Sequence, residues 1–324
     1  MATRKNKGKA SPRHPGKPQA CALPAGVDGY GAGGAARFHL EEKLGAGGMC
    51  EVHAALDLRR VECGDASPRV AVKRLLPKLG SHPRARLVLA QEFCILRQLT
   101  HPGVVRVFDL HREPFGLCFS MELLEGTTAR ATLGRQADGM GRAAIPWATK
   151  LFSVLAFLHD QGVAHGDVKP GNIFLAPEGR LVLMDFNVAE VTARPGAACA
   201  AVAKGLRESL CLPSHSLLYA GPERLQGGAP SPADDIHAAC CTVYEMASGV
   251  HPFGRLSALE AMGGNIFPQK PFCLGNRHWA MLRRGLSFDP ALRPGPAELA
   301  ACFAGQYLPV AWTTTAKKIF PFHF

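Results

Sequence analysis

Near Thr128 the apolar residues of this chain pass from a mainly strand-like to a mainly helical pattern, and that change limits the folds open to it. Ahead of it lie short strand-like runs: "FHLEEKLG", "CEVHAALD" with Val52, Ala54 and Leu56 alternating, "RVAVKRLL", and two further apolar runs, "GVVRVFDL" and "GLCFSMELL". Such alternation is the period of half-buried strands. One helix, from about Arg84 to Leu99 behind start signals at Ser81 and Pro83, interrupts them. Beyond Thr128 the clearest stretches, "WATKLFSVLAFLHDQG", "DDIHAACCTVYEMASG" and "NRHWAMLRRGLS", carry the spacing of helices, and "NIFLA" and "LVLMDF" around "PEG" read as a hairpin. A strand-rich lobe followed by a helix-rich lobe is an α+β, bilobal arrangement, and a ligand would sit at the seam.

At 324 residues and 47% hydrophobic, the chain can bury a large core. It has no apolar stretch of about 18 residues and no apolar signal near its first residue, so it reads as soluble and cytoplasmic. Eleven irregularly spaced cysteines with no C-x-x-C pair argue against a disulfide framework or zinc site and for reduced thiols. The net charge of +11 owes six of its 37 Lys and Arg to the first seventeen residues. Residues 1–36 therefore read as a basic tail and Gly/Ala-rich linker, able to contact acidic partners although solvation alone explains the composition. Specific nucleic-acid binding is not expected. The remainder divides into a domain at 37–305, with lobes at 37–122 and 122–305, and a short tail at 306–324.

Several residues carry chemistry. In "LGAGGMCEV" (Leu44, Gly45, Ala46, Gly47, Gly48, Met49, Cys50, Glu51, Val52) the glycines would let backbone N–H groups approach a phosphate, though an ordinary Gly-rich hairpin turn is the competing explanation. Strand alternation puts Ala71 and Lys73 on one face, with Val70 and Val72 on the other. Glu92 shares a helix face with Val88, Ile95, Leu96 and Leu99, so it is a carboxylate on an apolar stripe. Buried there, it needs a partner, and Lys73 is the candidate. In "HGDVKPGN", Asp167 can accept a proton, Lys169 can neutralise a phosphoryl group and Asn172 offers an oxygen to a hard cation. Asp185, after "LVLM", adds a carboxylate for the same cation. Capping residues in a polar loop would explain any one of these groups, but not all four around one hairpin.

Taken in order, these motifs resemble the eukaryotic-like serine/threonine protein kinases, and the glycine turn is similar to that of bacterial members. The resemblance covers about Arg37 to Gly305. It implies a phosphotransferase that uses ATP with Mg²⁺, or Mn²⁺ in its place, to phosphorylate Ser and Thr hydroxyls of proteins. Leu44 to Cys50, Val52 and Ala71 would line the nucleotide. Lys73, paired with Glu92, would hold its phosphates. Met121 would be the gatekeeper residue, and Glu122 to Leu124 the hinge holding adenine. Asp167 and Lys169 would serve the transfer, and Asn172 and Asp185 would hold the metal. Glu223 of "GPE", Asp235 and Arg293 match the family's structural polar residues, and Ser216, three residues before Tyr219, matches the serine/threonine branch.

Three positions depart from the family. Cys50 stands for the third loop glycine, Asn187 for the glycine after Asp185 and Phe186, and Gly166 for an arginine that links an activation-segment phosphate to the catalytic aspartate. Asparagine tolerates positive φ, which keeps the backbone at 187 accessible. Ser209 and Ser214 are candidate phosphorylation sites, and Arg207 is a candidate substitute for the missing arginine. The departures raise the alternative of a pseudokinase scaffold, against which stands the complete set of metal- and phosphate-binding groups. A small-molecule phosphotransferase of related fold fits less well, because the segment through Glu223 is complete.

Overall fold

The computed structural model describes residues 36–136, 138–191 and 217–305. The basic tail, Arg207, Ser209, Ser214, Ser216 and the C-terminal tail lie outside the described residues.

The first lobe is a five-stranded antiparallel sheet, built from β1 (Phe38–Ala46), β2 (Cys50–Asp57), β3 (Arg69–Leu75), β4 (Val107–Glu113) and β5 (Gly116–Met121) in the order β1-β2-β3-β5-β4. In β3, Val70 and Val72 join Phe38, Ala55 and Cys118 in a small outer core, while Leu75 belongs to the main core. Lys73 is opposite Val52 and Phe119, and Ala71 opposite Ala54 and Met121, so these residues share the sheet's inner face. A short helix, α1 (Leu58–Glu62), joins β2 to β3; the buried Asp57 caps it and is gripped by Arg37 Nε and Nη2 at 2.9 and 2.7 Å.

Helix α2 (Pro83–Gln98) crosses the inner face of the sheet and buries Val88, Leu89, Glu92, Phe93, Ile95 and Leu96. His82, rather than Ser81, caps it, its Nδ1 accepting the Ala85 N–H at 3.3 Å. The next apolar run enters the sheet late: Val104 and Val105 are buried ahead of β4, and Val104 forms a lone parallel bridge to Leu183.

The second lobe contains β6 (Thr127–Thr128), α3 (Ala129–Leu133), α4 (Ala144–Asp160), β7 (Val163–Ala164), β8 (Ile173–Leu175), β9 (Leu181–Leu183) and β10 (Glu190–Val191). It continues with α5 (Pro222–Leu225), α6 (Pro232–Ser248), α7 (Ala258–Gly263), α8 (Asn276–Gly285) and α9 (Pro296–Phe303). Strands β8 and β9 form the expected hairpin with β6 at its edge, and β10 pairs with β7. Helix α6, capped by Ser231 and closed by Gly249 at φ 79°, is buried on all sides. It can be so because small side chains let neighbours approach: a Cβ on Gly285 of α8 would stand 2.2 Å from Cys240 Sγ. One continuous core joins Leu89, Phe93 and Phe119 of the first lobe to Leu151, Ile173, Phe186 and Met246 of the second. No helix among the described residues is long and apolar enough to cross a membrane.

Two histidines on and beside α6 predict an acid-sensitive fold. The His237 ring stacks on Phe253 and its Nδ1 donates to the Tyr219 carbonyl at 3.2 Å. Burial, with Arg293 adding to it, pushes its pKa down to about 4; burial does the same to His251. A histidine depressed in the folded state contributes its stability above the unfolded pKa of 6.5 and loses it as pH falls through 6.5 toward 4. The loss reaches ~3 kcal/mol for each histidine at full protonation. Asp234, raised by burial to about 7, works in the opposite direction, gaining stability as pH falls below 7. His237→Gln, which keeps a donor without the charge, is expected to flatten the loss of melting temperature between pH 6.5 and 4.5. A slope equal to that of wild type would remove His237 from the account.

Candidate active site

The turn between β1 and β2 closes with the Gly47 N–H donating to the Cys50 carbonyl at 2.8 Å. Neither Gly45 nor Gly47 nor Gly48 has positive φ. A Cβ on Gly45 would meet nothing within 4 Å, and one on Gly47 only the Cys50 carbonyl at 3.9 Å. Neither backbone conformation nor internal packing therefore requires glycine at 45 or 47. What remains is the space above the turn, and bare backbone N–H groups suit an anionic group there. Cys50 is buried opposite Leu75, on the strand face it shares with Val52; burial pushes its thiol up to about 12, and the charges of Lys73, Glu92 and Asp185 also act on it.

Lys73 and Glu92 meet as their positions suggested. The ammonium donates to Glu92 Oε1 and Oε2 at 2.6 and 2.7 Å, and to Asp185 Oδ1 at 2.8 Å. Burial works to lower the Lys73 pKa, but the two carboxylates more than offset it and hold the lysine charged, above its ordinary value. Asp185 is likewise subject to burial, which would raise it; Lys73 brings it below the ordinary carboxylate range. Glu92 Oε1 also accepts the Phe186 N–H at 3.2 Å, so helix α2 is tied to the backbone that carries Asp185.

The left-handed residue in this stretch is Asp185, at φ 66°, and not Asn187. The expectation that asparagine is tolerated at 187 for its ease at positive φ is therefore corrected: that position does not require it. A buried side-chain oxygen of Asn187 has no hydrogen-bond partner among the described residues.

The loop from His165 to Asn172 hangs from α6. Asp235 accepts the His165 N–H through Oδ2 and the Gly166 N–H through Oδ1, both at 2.7 Å, and the ring of His159 lies 3.0 Å from Oδ2. These bonds hold Gly166 at φ 76°, where a Cβ would stand 2.8 Å from Pro230 Cβ and 2.9 Å from its Cγ. Glycine at 166 is thus a backbone requirement of this chain as well as a missing cation. Beyond it, Lys169 Nζ donates to Asp167 Oδ2 at 2.6 Å, and Asn172 Nδ2 donates to Asp167 O and Oδ2 at 2.8 and 2.9 Å. The Asn172 amide is turned so that Oδ1 is left as its acceptor.

A cation's donors would be Asn172 Oδ1 and the Asp185 carboxylate. Ile173 pairs with Leu183 across the hairpin, and the Met184 N–H donates to the Asn172 carbonyl at 2.9 Å, so the two residues stand at the same open end. Among the described residues no cluster of three or more His, Cys, Asp or Glu could hold a metal. Two oxygen ligands with the remaining positions open suit a hard divalent ion that keeps waters and takes phosphate oxygens.

Met121 and Leu124 are half-buried against the main core. The Glu122 carboxylate between them faces Arg180, in the turn of the β8–β9 hairpin, a residue whose part no sequence signal announced. Farther out, Arg293 holds Glu223 at 2.5 and 2.9 Å. The Tyr219 hydroxyl donates to Glu245 at 2.5 Å and accepts from Arg130 at 2.6 Å.

The family described as protein kinase domain matches residues 38–295. The chain is 30% identical over 274 residues to the serine/threonine-protein kinase PkaA of Streptomyces coelicolor, covering 82% of this chain and 49% of that protein. It is 31% identical over 221 residues to the serine/threonine-protein kinase PknB of Mycobacterium tuberculosis (67% and 33%), and 29% identical over 240 residues to PknA of the same species (72% and 52%). The chain thus spans between a third and about half the length of these relatives.

Proposed function

The chain belongs to the protein kinase domain family, and on that premise we propose that it is an ATP-dependent serine/threonine protein kinase. The observation that carries the reading is the Lys73 ammonium, charged and held at 2.6 to 2.8 Å by Glu92 and Asp185 together. Burying a lysine with two carboxylates adds little stability for its desolvation cost, so a ligand-binding role accounts for it better, and it lies on the inner face of the sheet with Val52 and Ala71.

In this reading Lys73 binds the α- and β-phosphates of ATP, with the N–H groups of Gly45 to Gly48 above them, while Ala71, Val52, Met121 and the Glu122 to Leu124 backbone take the adenine. Asp167 orients the substrate hydroxyl and accepts its proton as the oxygen forms a bond to the γ-phosphorus. Lys169, whose ammonium lies 2.6 Å from Asp167, neutralises the phosphoryl oxygens in this reading as ADP leaves. Mg²⁺, or Mn²⁺ in its place, would be held by Asn172 and Asp185 and would supply charge neutralisation of the phosphates. The protein hydroxyls of Ser and Thr are the acceptor class supported by the named relatives.

The test is transfer of labelled phosphate from ATP to a generic basic protein, with Mg²⁺, with Mn²⁺ and with chelator, followed by phosphoamino-acid analysis. Phosphoserine or phosphothreonine that vanishes with chelator is expected. Nucleotide binding without any transfer would replace this reading with that of a scaffold.

A further inference from the structure

Arg180 precedes β9 and bonds two segments outside its hairpin directly, one of which, through Glu122, holds a further residue. Its Nη1 and Nη2 donate to Glu122 Oε2 and Oε1 at 2.8 and 2.7 Å, and its Nε donates to the Pro102 carbonyl at 2.7 Å. Glu122 Oε1 also accepts the Arg106 N–H at 2.8 Å, and the Glu122 N–H returns a bond to the Arg106 carbonyl at 2.9 Å. Three residues past Arg180, the Leu183 N–H donates to the Gly103 carbonyl at 2.8 Å, a second fastening of the same seam.

One guanidinium therefore ties the hinge and the connection after α2, and through Glu122 the approach to β4, to the strand that leads directly into Asp185. A planar fork meeting a carboxylate at two points fixes orientation as well as distance. Burial would raise the Glu122 carboxyl, but its bonds from Arg180 bring it below the ordinary carboxylate value, so the pair stays ionic.

We propose that Arg180 is a positioning residue for the nucleotide: through Glu122 it sets the hinge, where the base rests, against Asp185, where the phosphates and metal rest. The inference rests on the kinase reading of the site. A nucleotide bridges these two ends, so its binding depends on their separation, whereas proton acceptance by Asp167 does not.

Arg180→Ala is expected to raise KM for ATP about tenfold, with kcat within about threefold of wild type, because misplacement of a binding element acts on affinity first. Direct titration with a fluorescent ATP analogue, without protein substrate, should show the same loss. Arg180→Lys should recover only part of it, lacking the fork. The double variant Arg180→Ala with Glu122→Ala should bind no more weakly than the weaker single variant. Melting temperature without nucleotide separates affinity from folding, and if Arg180→Ala does not fold, Arg180→Lys and Glu122→Gln carry the same comparison. Wild-type KM and affinity in Arg180→Ala, or a kcat that rises, would overturn the proposal; the latter would make the pair a restraint. If the wild-type chain itself binds no nucleotide, the kinase reading fails and this one with it; if wild type binds and Arg180→Ala binds equally, only this one fails.

Discussion

Lys73→Met is expected to reduce phosphoryl transfer by about 10³-fold or more and to destabilise the fold at the same time. Lys73 is 7% exposed and Glu92 only 2%, and the ammonium is the cation that both Glu92 and Asp185 share. Methionine fills much of the space but leaves two carboxylates facing each other. Breaking a buried pair on one side costs ~3–5 kcal/mol, part of which Glu92 recovers by taking up a proton. Asp185→Asn makes the complementary case. It removes the charge, keeps the shape and keeps a residue that tolerates φ 66°, so transfer should fall as steeply with stability nearly preserved. Initial rates beside chemical denaturation of each variant decide the matter. Activity of Lys73→Met within tenfold of wild type would mean that the site is wrongly assigned.

Restoring the missing arginine, Gly166→Arg, is expected to damage the protein. Left-handed backbone costs a non-glycine residue ~1–2 kcal/mol, and the added Cβ must displace Pro230 from 2.8 Å, so a loss of ~2–4 kcal/mol follows. Gly166→Ala should lose nearly as much, because the backbone and the Cβ, not the charge, are at fault. The strain also pulls on the Asp235 bonds that hold the loop from His165 to Asn172, so turnover should fall in both variants. Pairing Gly166→Arg with Pro230→Ala should recover part of the stability. Denaturant unfolding of Gly166→Arg within about 0.5 kcal/mol of wild type would refute this account. Its acceptance means that control through an arginine at 166 is more than one substitution away in this chain.

The sequence carried the parts of this architecture that rest on period. Glu92 was legible because an acidic residue interrupts a regular apolar stripe, and Lys73 because it shares a strand face with Ala71; their meeting follows from the helix crossing that face. The hairpin at 173–183 was legible from two apolar runs around a turn. What stayed hidden depends on tertiary placement. Arg180 is one cation in a polar turn, and only the fold brings it to Glu122 and Pro102. Helix α1 is five residues long, too short for a period to register, and is held by its Asp57 cap. Gly166 read as an absent charge because the neighbour that makes its hydrogen atom indispensable, Pro230, is 64 positions further along the chain. The residue that takes positive φ was misplaced by two positions, since the type of residue at 187 says less about the turn than the bonds from Lys73 and Glu92 that surround 185 and 186.

The core that runs without a break from Phe93 and Phe119 through Phe186 to Met246 sets how the chain could be divided. Two lobes joined at a hinge suggest a pair of modules that could be cut apart, exchanged with those of a relative, or expressed separately and recombined. An uninterrupted apolar interior forbids that: a cut at the hinge would bare the underside of the sheet and the top of the helical half together, and neither fragment would have surface suited to water. Engineering of this protein by exchange of parts therefore belongs at the outer side of the sheet, around α1, where the Phe38 and Val70 cluster is separate and a replacement leaves the common interior closed.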